Sequence, residues 1–110
     1  MQVMDARDIG YREMNSTIKS IFSSGQNELC LKNVSGQRYL GDGITGNRRL
    51  LIEGIPGNDL AAYMDGPEVV VKGNTQDAVA NTMNSGCVIV HGNAGDTAGY
   101  AMRGGEIYIR

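Results

Sequence analysis

A glycine-rich stretch at residues 41–46, GDGITG, matches the G-x-G-x-x-G pattern of dinucleotide-binding loops through Gly41, Gly43 and Gly46. That chemistry needs a helix that opens at the third glycine, because the helix N-terminus receives the pyrophosphate. Here the chain continues into residues 50–53, LLIE, which predicts a strand. The pattern therefore indicates a tight corner of the fold rather than a nucleotide site.

Three further side chains could carry acid–base or nucleophilic chemistry: His91, the only histidine, and the two cysteines, Cys30 and Cys87. Neither cysteine has a histidine beside it in the sequence, and a reactive thiol needs an activating partner. We expect His91 on a solvated edge, Cys87 at a rim and Cys30 half-buried. The sequence therefore predicts no catalytic, cofactor-binding or metal-ligating residue in this chain.

Asn58, Asp77 and Asp96 recur at a fixed interval and raise the question of calcium. The nonapeptide pattern of calcium-binding β-solenoids is absent, and one carboxylate per interval is too few ligands. We expect these side chains to bond to backbone groups at corners.

Composition constrains the elements that must position these residues. The chain has 110 residues, of which 16 are glycine. Sixteen glycines inside helices or strands would cost roughly 8–16 kcal/mol relative to alanine, as much as the whole stability of a domain. The glycines must therefore lie mostly at turns or at close backbone approaches, which excludes a helical bundle.

Charge and hydropathy exclude other classes. The net charge of -2 provides no basic field for a phosphate backbone, so we expect no nucleic-acid partner. No apolar run approaches the ~20 residues of a membrane span, and the N-terminus does not resemble a signal peptide. The sequence predicts a cytoplasmic protein with reduced thiols.

A repeat organises most of the chain. Gly54, Gly73 and Gly92 follow one another at intervals of 19 residues, and the units they open align without a gap. Methionine occupies one column, and Val or Ile occupies two more. These columns comprise Met64, Met83 and Met102; Val69, Val88 and Ile107; and Val71, Val90 and Ile109. A less regular unit at 33–53 precedes them, with Asn33 in the leading position and two extra residues near the cluster Gly41–Gly46.

Each unit ends in a short β-branched strand preceded by turn residues, a pattern typical of a parallel β-helix. The predicted fold is all-β: a right-handed, single-stranded parallel β-helix of about four coils of 19–21 residues, at 33–53, 54–72, 73–91 and 92–110. The methionine and Val/Ile columns would fill its interior, and glycines would form its corners.

Period-2 alternation places Leu51, Val70, Ile89 and Tyr108 in one outward column, which is wholly apolar. Two interpretations remain open. Another segment of the chain covers the column, or the column is a docking surface for a partner. We treat these four residues as the candidate interface.

The N-terminal segment differs in kind. Tyr11, Met14, Ile18, Ile21 and Phe22 lie on one stripe of a predicted helix, and the glycine at position 25 is suited to its C-terminus. We expect residues 1–32 to form this helix and a lead-in strand at 28–32, capping a single domain of 1–110 whose coils occupy 33–110.

The sequence stops inside a predicted strand, at Arg110, with no cap of its own. We therefore expect self-association through the C-terminal coil.

Specific glycines carry a resemblance to a known family. Gly92, Gly95 and Gly99 form a full G-x-x-G-x-x-x-G unit, and Gly54 and Gly57 begin a relaxed copy. This repeat, with the stretch GNAGDTAGYAMRGG at 92–105, resembles the C-terminal domain of the glutamate synthase large subunit over residues 5–110. It is most similar to the archaeal-type form, which is encoded as a separate protein.

The resemblance implies a right-handed parallel β-helix that acts as a scaffold without catalytic residues. In glutamate synthase the similar domain packs between a glutamine amidotransferase domain and a flavin-containing synthase domain. FMN and an iron–sulfur cluster are then expected only in those partners. The function implied is support of glutamine-dependent glutamate synthesis and nitrogen assimilation.

Two alternatives remain. A similar repeat occurs in the β-helix component of formylmethanofuran dehydrogenase, a molybdenum or tungsten enzyme, and the chain could serve that complex. The chain could also be a stand-alone oligomeric enzyme or ligand-binding protein with a groove between its protomers.

Overall fold

The computed structural model describes all residues from 1 to 110 and contains one helix and six strands. The helix is α1 (Tyr11–Ser23), and the strands form one all-parallel sheet in chain order. The chain therefore winds as a β-solenoid of about four turns with one short helix near its N-terminus, which confirms the predicted fold class. The strands are β1 (Gln2–Asp5), β2 (Glu28–Ser35), β3 (Arg49–Ile55), β4 (Asp65–Lys72), β5 (Ser85–His91) and β6 (Glu106–Ile109).

The interior consists of stacked columns of like side chains. Val69 pairs with Leu50 below it and with Val88 above it, and all three side chains are fully buried. Met64 and Met83 are likewise fully buried. Because strand residues alternate between faces, the positions between these valines point outward.

Burial decreases toward the C-terminal coil. Met102 and Ile107 are only partly buried, and Ile109 is 51% exposed although its column mates Val71 and Val90 are fully buried. These side chains have a coil on one side of them and none on the other.

The wall opposite the sheet is built from residues in alternating backbone conformations. In the coil that follows β3, Asp59, Ala61 and Tyr63 all have φ near +60°. The amide of Ala61 donates to Leu40 O of the preceding coil, whereas that of Tyr63 donates to Asn81 O of the next. Backbone hydrogen bonds to both neighbours therefore hold this wall. Equivalent positive-φ positions in the other coils are Tyr39, Gly41, Gly43, Ala78, Ala80, Thr82, Thr97, Gly99 and Ala101.

The repeated glycines lie where neighbouring coils approach closely. A Cβ on Gly92 would lie 2.6 Å from the carbonyl oxygen of Gly73, and one on Gly57 would lie 2.4 Å from that of Gly36. Gly95 has a similar constraint, because its Cβ would meet Asp77 Oδ1 at 2.2 Å. Real Cβ atoms do not tolerate such distances, so the stacking itself requires glycine.

The first coil differs from the alignment made on sequence. Leu31 pairs with Ile52 and Val34 pairs with Gly54, so one extra residue bulges from β2 at this point. Val34, not Asn33, therefore occupies the leading position, and Asn33 adopts φ +60°. The second extra residue lies between the bridge of Thr45 to Asp65 and the pairing of Arg49 with Glu68. The two insertions are thus separated, not clustered within residues 41–46, because each sits where a strand begins or ends.

Two elements cover the N-terminal end. Met14, Ile18 and Phe22 of α1 enter the core, and the helix ends at Ser24 and Gly25, whose φ is +105°. Strand β1, which the sequence pattern does not predict, pairs with β2 and extends the sheet by one strand. No helix has the length and apolar character that a bilayer crossing requires.

Candidate interaction surface

The outer face of the sheet carries a central apolar column on five successive strands. Cys30, Leu51, Val70, Ile89 and Tyr108 occupy paired positions from β2 to β6. The structure therefore brings the four predicted interface residues side by side. Helix α1 contacts only β2 among the strands, so no helix or strand of the chain covers the column from β3 onward.

Exposure along this column is uneven. Val70 is only 5% exposed, Leu51 and Ile89 are half-buried, and Tyr108 is 43% exposed. The middle of the column is thus a shallow apolar strip, and its accessible end is at Tyr108. A partner would gain most apolar contact at Ile89 and Tyr108.

Charged columns flank the apolar column on both sides. Arg49 Nε lies 3.3 Å from Glu68 Oε1, and Lys32 Nζ lies 3.9 Å from Glu53 Oε2. Exposed ion pairs of this kind contribute at most about 1 kcal/mol each. An apolar centre with a mixed-charge rim is the usual composition of a protein–protein contact surface.

The two cysteines lie on this face but in different columns. Cys30 is 3% exposed, not half-buried as expected, because β1 flanks its strand. Burial, followed by the neighbouring Glu53 carboxylate, raises the pKa of the Cys30 thiol. Burial raises the pKa of Cys87 as well, followed by the charges of Glu68 and Glu106. Both thiols are therefore held in the protonated, poorly nucleophilic form at neutral pH.

The remaining sequence motifs occupy structural positions. Gly41, Gly43 and Gly46 all have positive φ and form turns, after which the chain enters β3 without a helix. His91 is exposed at the end of β5, in the same outward column as Lys72.

Asn58, Asp77 and Asp96 form a hydrogen-bonded ladder between coils. The backbone amide of Asp77 donates to Asn58 Oδ1 at 2.9 Å, and that of Asp96 donates to Asp77 Oδ1 at 2.7 Å. Each acceptor side chain thus caps a backbone group of the next coil, as expected from sequence. No cluster of three His, Cys, Asp or Glu side chains is placed to hold a metal ion.

Sequence reasoning missed one ionisable group. Asp42 is half-buried beside α1 and accepts a hydrogen bond from the Ala62 amide at 2.9 Å. Burial, reinforced by the Asp59 carboxylate, raises the pKa of Asp42 to about 8. Asp42 borders an open groove of about 440 Å³ with Tyr11, Arg12, Asn15, Ser16, Lys19 and Tyr39. Only its place within the glycine cluster hinted at this environment.

The stacked coils, the glycine contacts and the flat outer face define a β-solenoid repeat protein that presents a protein-binding type of surface. Residues 14–110 match the family described as GXGXG motif, and the chain belongs to that family. An uncharacterised protein of the archaeon Methanocaldococcus jannaschii is 45% identical over 86 residues, which cover 74% of this chain and 33% of that relative. The chain thus spans about a third of the length of the curated relative it matches. No solved structure matches it.

Proposed function

We propose that this chain is a non-catalytic scaffold of a glutamate synthase-type complex in the cytoplasm, where it supports glutamine-dependent glutamate synthesis. The observation that carries the proposal is the outer sheet face with its apolar column, on a domain of the GXGXG motif family. The coil interior is filled by Val, Leu, Ile and Met side chains, so the outer faces remain for interaction.

The partners in this proposal are glutamine amidotransferase and flavin synthase proteins, which hold the FMN and the iron–sulfur cluster. This chain's own residues do not suit a cluster, because Cys30 on β2 and Cys87 on β5 are separated by two intervening strands. Iron–sulfur clusters are held by sets of cysteine thiolates that converge on one point. The scaffold role therefore rests on contact surfaces alone.

Reconstitution from purified components tests the proposal. The chain is mixed with the amidotransferase and flavin synthase proteins encoded in the same genome, and complex formation is followed by light scattering. Glutamate production from glutamine is measured in parallel. We expect a stoichiometric complex whose glutamine-dependent activity requires this chain.

A matched pair of variants locates the surface. Ile89→Glu places a charge in the apolar column and should weaken assembly at least about tenfold. Tyr63→Glu alters an exposed side chain on the opposite wall and should leave assembly unchanged. Circular dichroism verifies that both variants remain folded. Equal binding by the two variants would move the contact off the outer sheet face.

Two outcomes would redirect the assignment. Assembly with the components of a molybdenum or tungsten formylmethanofuran dehydrogenase, and not with the amidotransferase and synthase, would favour that complex. A thermal shift with glutamine, glutamate, FMN or a nucleotide, together with no partner, would favour a stand-alone ligand-binding protein.

A further inference from the structure

Strand β6 leaves backbone groups unpaired at the edge of the sheet. The Arg110 amide donates to Val90 O, which fixes the parity of the strand. Because alternate residues of a strand direct their N–H and C=O groups to opposite neighbours, those of Ile107 and Ile109 point away from β5. This edge offers two donors and two acceptors in line.

Apolar side chains accompany this open edge. Ile109 is 51% exposed, Tyr108 is 43% exposed and Tyr100 at the opposite wall is 65% exposed. Met102 and Ile107 are only partly buried, and in the inner coils their equivalents are fully buried. A partner that pairs with β6 would therefore also complete the interior.

We propose that β6 pairs with β6 of a second copy of this chain, antiparallel, about a two-fold axis through Tyr108. In this register Ile107 lies opposite Ile109 of the second copy, and the two residues exchange both of their outward backbone hydrogen bonds. The symmetry repeats the exchange, so four hydrogen bonds form. A two-fold pairing is closed, which makes the product a dimer and not a fibre.

Charge selects this register. Residues 106 and 110 are equidistant from Tyr108, so Glu106 lies opposite Arg110 of the second copy, and Arg110 lies opposite its Glu106. Both are exposed, outward-facing residues in the columns that flank Tyr108. Facing side chains are closest at non-hydrogen-bonded positions, which these are. A slip by two residues would break both pairings and place Glu106 opposite Tyr108.

The symmetry also preserves the faces of the sheet. An axis perpendicular to the sheet keeps outward residues outward, so the apolar column of one copy continues through Tyr108 into that of the other. Inward, the two exposed Ile109 side chains become covered. The inference stands on β6 itself and does not depend on the proposed glutamate synthase-type role.

Charge reversal tests the pairing. Light scattering of the chain should give twice its 11.8 kDa mass across the micromolar range. Arg110→Glu and Glu106→Arg each place like charges opposite each other twice and should weaken the dimer at least about tenfold. The double variant restores opposite charges and should recover dimerisation. Arg103→Glu, an exposed reversal elsewhere in the last coil, should leave dimerisation unchanged.

A disulfide trap provides an independent readout. Tyr108→Cys places the new thiol beside its symmetry mate, so mild oxidation should give a covalent dimer. Tyr100→Cys, on the opposite wall, should stay uncrosslinked at the same protein concentration. A monomer at all concentrations, a double variant without recovery, or crosslinking of both cysteine variants alike would overturn the proposal and favour another occupant of the β6 edge.

Discussion

Gly73 lies on Gly54 of the preceding coil so closely that a Cβ on Gly73 would be 2.2 Å from the Gly54 carbonyl oxygen. Its φ of +151° also disfavours an L side chain. Because the contact involves backbone on both sides, neither partner can give way without separating two coils. We expect Gly73→Ala to lower the free energy of unfolding by more than about 2 kcal/mol, measured by urea titration.

Gly10→Ala is the matched control. No atom lies within 4 Å of a Cβ at this position, and its φ of -69° suits any residue. We expect a change below about 1 kcal/mol, the size of a helix N-cap effect. Equal losses for the two variants would show that coil stacking does not depend on the Gly73 contact.

The positive-φ wall makes a prediction of opposite sign. Ala101 is exposed and adopts φ +55°, a conformation that costs an L-residue about 1–2 kcal/mol. Glycine removes that cost but adds about 0.5–1 kcal/mol of unfolded-state entropy. Ala101→Gly should therefore stabilise the protein by about 0.5–1 kcal/mol in urea titrations. Asn84→Gly, at an exposed position without positive φ, should destabilise it, and the opposite ranking would contradict the role of this wall.

The sheet and its interior could be predicted because the repeat is in register. Met64 and Met83 share a column, and the intervals between Gly54, Gly73 and Gly92 fix the coil length. The positive-φ wall could not be predicted, because alanine and threonine there give no local signal for this conformation. Strand β1 escaped notice for a related reason: four residues form a strand only when β2 is present to pair with them.

The inter-coil ladder predicts a position-dependent effect. Asp77 Oδ1 accepts the Asp96 amide at 2.7 Å, whereas the Asp96 side chain accepts no backbone amide. Asp77→Ala should cost about 0.5–1.5 kcal/mol, and Asp77→Asn, which keeps the acceptor, should cost less. Asp96→Ala should have the smallest effect of the three. Thermal unfolding with calcium or EDTA should match unfolding without either, and a calcium-dependent shift would show that the ladder binds metal.

The candidate surface could be predicted from alternation alone, because Val70 must point opposite to Val69 and Val71. Its depth could not, since the exposure of each member depends on neighbouring columns and on β1. The environment of Asp42 is further from the sequence still. Its burial arises from the packing of α1 against the first coil, a contact between segments that the repeat does not relate.

Asp42 predicts a pH dependence of stability. Its pKa is about 8 in the folded protein and 3.8 in its ordinary state, so between these values the folded protein holds a proton that the unfolded chain releases. The contribution of Asp42 to stability is therefore complete below about pH 4, falls as the pH rises and is lost above about pH 8. Asp42→Asn keeps the Oδ1 acceptor for the Ala62 amide and cannot ionise. We expect this variant to gain about 1–2 kcal/mol over the native chain between pH 5 and pH 9, allowing for solvent screening at a half-buried site. Asp59→Asn removes a neighbouring charge that raises the pKa of Asp42, and it should flatten the slope in part. Urea titrations across this pH range measure both, and parallel curves for native chain and Asp42→Asn would show that Asp42 ionises as freely when folded as when unfolded.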